Sequence, residues 1–96
     1  MKIQRHFEIK RESGIREATQ IRTMLLDLDR TAQILDCDIA TEEERVRVSD
    51  PLNAAYPILA RALTVRRDNL KVTIAALEER LAKIRQTLPE AVETAA

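Results

Sequence analysis

Apolar residues fall at Ile15, Ala18, Ile21, Leu25, Leu28, Ala32, Leu35, Ile39 and Val46. From Ile21 to Ile39 they alternate steps of four and three. That spacing keeps one narrow stripe on a single side of an α-helix, as in a coiled-coil seam. The spacing predicts a first helix over about 13–48, with Ser13 as the residue that caps its free N–H groups. Glu42 takes the next seam place and weakens it. Thr41 with Glu44 reads as a capping box, so a bend or restart near Ala40 is expected.

Ser49, Asp50 and Pro51 interrupt the pattern. Asp50 precedes a proline and is biased away from helical angles. A second helix then starts either at Pro51, with Pro57 inside it as a kink, or near Pro57. We place the turn at about 49–56 and the second helix at about 57–88, ending at Pro89. Residues 89–96 read as a disordered tail.

The second segment carries the series Leu52, Tyr56, Leu59, Leu63, Arg66, Leu70, Ile74, Leu77, Leu81, Ile84, Leu88. Two consecutive steps of four around Leu70 resemble a stutter, with Arg66 in a seam place. A second stripe, Ile58, Ala62, Val65, Asn69, Val72 and Ala76, lies beside the first. Together they form an apolar face of roughly half the circumference, wider than the ~100° stripe of an ordinary surface helix.

Ahead of these helices, residues 1–12 mix Ile3, Phe7 and Ile9 with Lys2, Arg5, His6, Lys10 and Arg11. Phe7, Glu8 and Ile9 alternate like a strand, whereas Ile3 and Phe7 are one helical turn apart. The segment is treated as a flexible basic arm.

Composition supports an all-α fold. Of 96 residues, 45% are hydrophobic and 33% charged, with one Gly and only Phe7 and Tyr56 as aromatics. A β-sandwich or barrel needs turn residues that this chain lacks. The fold class expected is an all-α antiparallel two-helix hairpin, coiled-coil-like.

Charge agrees with that topology. Asp27 to Glu44 holds seven acids and one base; Arg61 to Lys71 holds four bases and one acid. A hairpin turning near Asp50 sets these segments side by side. Exposed ion pairs contribute only about 0–1 kcal/mol each, so the pattern selects alignment more than it stabilises. Arg66 is expected opposite small Ala32, its head reaching Asp29 or Asp36.

A bare hairpin has a seam but little enclosed interior. The sole cysteine excludes an internal disulfide. The expectation is a homodimer forming a four-helix bundle, with Ile58, Ala62, Val65 and Val72 facing the second protomer. Leu26 and Ile34 point away from the first seam and suggest a further partner surface for a protein client.

Candidate chemistry is sparse. His6 lies in the basic arm without fixed partners. A reactive Cys37 would need positive surroundings, but Asp36 and Asp38 flank it. Among the acids Asp36, Asp38, Glu42, Glu43 and Glu44, neighbours one or two apart point to different helix faces, and no Glu-x-x-His pair accompanies them, so a solvated face paired with Arg is the reading. No phosphate loop or catalytic triad is present. No catalytic role, cofactor or metal is therefore expected.

Formal net charge is zero, which argues against nucleic acid as the main partner. The alternative reading is a nucleic-acid-associated regulator using the N-terminal arm, since residues 1–22 carry six bases and three acids. The N-terminus lacks the apolar run of a signal peptide, and no membrane span is present. A cytoplasmic location is the expectation.

Overall fold

A computed structural model describes residues 2–88, without the side chains of residues 2–4, 6 and 7. The tail expected over residues 89–96 lies outside the described residues. Two helices form an all-α hairpin: α1, Lys2–Val46, and α2, Ile58–Thr87.

The structure extends α1 through the segment read as an arm. Residues 2–12 are helical, not an irregular arm or a strand, and Ser13 is an interior helical residue rather than a cap. The cause is local. The segment holds no proline, is rich in Lys, Arg, Glu and Gln, and sets Glu12 four residues before Arg16. A helix already anchored by packing at Ala18 extends backward at little cost, because nucleation has been met.

Nor does α1 restart near Ala40. The Thr41 hydroxyl donates to the Cys37 carbonyl at 2.8 Å, one turn back, instead of capping a new helix. Thr19, Thr23 and Thr31 do the same with Ile15, Thr19 and Asp27. These hydroxyls satisfy themselves within an unbroken helix.

The chain packs as two compact units. The terminal unit holds residues up to Leu26 and from Ala76 on. Its core is Ala18, Ile21, Leu81 and Ile84, with Leu25, Leu77 and Leu88 packed against them. Burying a Leu or Ile fully contributes about 1.5–3 kcal/mol, so this aliphatic cluster is the main stabilising feature of the unit. Gly14 lets Leu88 approach: a Cβ there would lie 3.3 Å from Leu88 Cδ2. At the rim, Arg80 Nε donates to Glu17 Oε1 at 2.8 Å and Nη2 donates to Oε2 at 3.2 Å.

The turn unit spans Asp27–Ala75. Its buried residues are Ala32, Leu35, Ile39, Tyr56 and Ala60, with Pro57 also buried. Two of these six are alanines; Leu28, Leu63, Leu70 and Ile74 are half-buried beside them, and polar links add to the packing. Arg67 Nη1 donates to Asp36 Oδ1 at 2.9 Å, and Tyr56 donates its hydroxyl to Glu43 Oε2 at 2.8 Å.

The seam of α2 differs from the expected one in its first half. Ala60 is completely buried, while Leu59 is 53% exposed. Arg67, not Arg66, takes the seam place and the acidic partner. The seam therefore reads Tyr56, Ala60, Leu63, Arg67, Leu70, Ile74, Leu77, Leu81, Ile84, Leu88. Every step alternates four and three, and there is no stutter.

Candidate interaction surface

The turn unit sets the phase of α2 before the helix begins. At the end of α1 the Arg47 N–H donates to the Glu44 carbonyl and the Val48 N–H to the Glu43 carbonyl, both at 3.2 Å. This bond pair closes a helix with a left-handed residue, and Arg47 has φ 60°. The Asp50 carboxylate then accepts from the Leu52 N–H at 3.0 Å, and its carbonyl accepts from the Asn53 N–H. Asn53 repeats the device, its side-chain oxygen accepting from the Ala55 N–H at 2.8 Å. Asp50 thus shapes a turn, not a helix start. Of the two possible starts, α2 takes the one near Pro57, whose carbonyl accepts the Arg61 N–H.

Tyr56 is the anchor of this turn. It is 5% exposed, and the Arg61 guanidinium lies 5.3 Å from its ring centre. Burial, reinforced by the hydrogen bond to the Glu43 carboxylate, pushes its phenol above the ordinary tyrosine value. With Tyr56 and Pro57 turned inward, Ala60, one turn after Tyr56, follows them into the seam. Ile58 and Leu59 are left facing water.

The result is an apolar surface on one side of α2. Ile58 is 86% exposed, Val65 60% and Val72 71%, and Ala62 is exposed between them. All four residues expected to face a partner are brought onto one face. Leu59 adjoins them, and its membership was missed because the spacing admitted it as a seam residue. Measured from the adjoining part of the observed seam, the face lies roughly 160° around α2, at 100° per residue. It sits across the helix from the seam, not beside it as the sequence reading had it, so α1 leaves it open.

The remaining candidates are scattered. Leu26 is 70% exposed in the terminal unit, and Ile34 is 54% exposed in the turn unit, where Cys37 is also exposed. The His6 side chain lies outside the described residues. Arg5, Lys10 and Arg11 are exposed along with Glu8 and Glu12, so the basic segment is a helix of mixed charge. Glu42 bonds Arg45 at 2.9 Å, and Glu43 serves Tyr56. Among the described residues no group of three His, Cys, Asp or Glu is placed to hold a metal ion. No described helix is long and apolar enough to cross a membrane.

No protein family matches this chain, and neither a curated protein nor a solved structure shows similarity to it.

Proposed function

We propose that this chain is a helical protein–protein interaction and assembly module whose docking element is the outer face of α2. The observation that carries the reading is the run Ile58, Leu59, Ala62 and Val65, continued two turns on by Val72, all exposed in a chain with little interior of its own. Single exposed apolar residues are ordinary; a continuous run along one helix face is the pattern that partner helices cover. As an adaptor, regulator or assembly subunit, the protein would act by burying this face against another helix. The driving force would be about 25 cal/mol per Å² of apolar surface removed from water.

Light scattering on the size-fractionated protein tests this. The expected particle exceeds the 11.0 kDa chain. Val65→Glu, which sets a charge in the middle of the face, should reduce the particle to a single chain. A wild-type particle that is monomeric at all concentrations, or an assembly indifferent to Val65→Glu, would remove this face as the docking element.

A further inference from the structure

We infer that the occupant of this face is the same face of a second copy, with the two α2 helices running antiparallel about a two-fold axis. The inference rests on the proposed docking role and adds the partner and its orientation.

The argument begins with the spacing. Ile58, Ala62, Val65, Asn69 and Val72 alternate steps of four and three. That is the spacing of a coiled-coil seam, placed on the side of α2 that α1 does not cover. A helix bearing such a stripe can pair with a copy of itself in either direction. The flanking charges distinguish the two.

Arg61 and Asp68 lie seven residues apart on one edge of the stripe, and Arg66 lies on the other. In a parallel pair, residues on opposite edges meet, so Arg61 of each copy would lie beside Arg66 of the other. In an antiparallel pair, residues on the same edge meet. With Ala62 of one copy level with Val65 of the other, Arg61 then faces Asp68 across the interface, twice per dimer. Like charges side by side disfavour the first arrangement, and opposite charges favour the second.

The in-chain contacts of these residues leave them able to do so. The Asp68 side chain is 60% exposed, and its partner is the adjacent Arg67, at 3.2 Å, which also holds Asp36 at 2.9 Å. Among the described residues Arg61 meets an aromatic ring but no carboxylate. The chain's formal net charge of zero adds no overall repulsion between copies. Because the face lies across α2 from the seam, such a dimer joins α2 to α2, with each α1 on the outer side. It does not enclose a shared four-helix core of the kind the sequence suggested.

Charge exchange tests the orientation. Sedimentation equilibrium at low ionic strength would be run on the wild type, Arg61→Glu, Asp68→Arg, an equimolar mixture of the two, and the double variant. Each single reversal should weaken the dimer about tenfold, since two exposed pairs turn repulsive. The mixture and the double variant should return to wild-type affinity, because each again sets opposite charges face to face. That recovery carries the test, since the single reversals also remove in-chain contacts.

A tighter dimer for Arg61→Glu would mean parallel pairing and overturn the inference. So would failure of both the mixture and the double variant to recover. If assembly depends on Val65 but ignores the charge exchange, the orientation is wrong and the docking role stands. If the wild type never assembles, both fall.

Discussion

The two units use opposite means to hold the same pair of helices. In the terminal unit the large side chains Ile21, Leu81 and Ile84 point inward and are nearly dry. In the turn unit alanines take two of the six buried places, and polar links from Asp36 and Glu43 supplement the packing of half-buried leucines. The branched side chains left over, Ile58, Leu59, Val65 and Val72, point outward. Where apolar side chains are turned inward they give the unit a core of its own. Where they are turned outward, the unit gives up internal packing and leaves an apolar face open to water.

The sharpest way to break this contrast is to truncate one isoleucine in each unit. Ile84→Ala removes buried atoms and leaves a cavity, so about 2–5 kcal/mol should be lost. That is a large share of a small domain's net stability, and the urea midpoint should fall sharply. Ile58→Ala, measured at concentrations where the chain is monomeric, should barely move the midpoint. Equal losses from the two would show that the outward face is packed within the chain.

Next in size is Arg47→Gly. A non-glycine residue in the left-handed region is strained by the approach of its Cβ to the backbone, and φ at Arg47 is 60°. Glycine removes that strain at the cost of some unfolded-state freedom. A gain of about 0.5–1 kcal/mol is expected, seen as a higher midpoint in urea. A loss would mean that the Arg47 side chain contributes more than its backbone costs.

The smallest effect is the most discriminating, because the two units carry acidic groups shifted in opposite directions. In the terminal unit the hydrogen bonds from Arg80 hold the Glu17 carboxyl below the ordinary glutamate value. Its contribution is complete above that value and is lost as pH falls through the lowered one. In the turn unit burial and the Glu43 bond raise the Tyr56 phenol. That contribution is complete below the ordinary tyrosine value near 10 and is lost as pH rises through the raised one. Acid should therefore loosen the terminal unit first and alkali the turn unit first, by amounts that solvent exposure keeps small. Hydrogen exchange resolved by residue would read this, with Glu17→Gln and Tyr56→Phe removing the respective dependences. Uniform loosening at both extremes would erase the distinction.

Much of the architecture was legible in the order of residues. The α1 stripe from Ile15 to Ile39 is buried or half-buried throughout, and so is α2 from Leu70 to Leu88 at its seam positions. In those stretches one apolar face exists and only one phase buries it, so periodicity suffices. The break between the helices was equally plain, since Asp50 and Pro51 leave the backbone few options. The exposed residues Ile58, Ala62, Val65 and Val72 were visible for the converse reason: they repeat like a seam, but on a face the partner helix could not also cover.

Tertiary contacts decided what local pattern left degenerate. From Leu52 to Leu70 the second segment has more apolar residues than one seam can hold, so Leu59 with Arg66 and Ala60 with Arg67 are both acceptable by spacing. The Tyr56 hydroxyl bonded to Glu43 and the Arg67 guanidinium bonded to Asp36 select the second set. Both bonds join residues distant in sequence, which no window along the chain can weigh. The same holds for residues 2–12, whose mixed composition permits an arm or a helix; continuity with a helix packed from Ala18 onward settles it. Sequence thus determines structure wherever a single burial solution exists, and the fold chooses where several are nearly equal in energy.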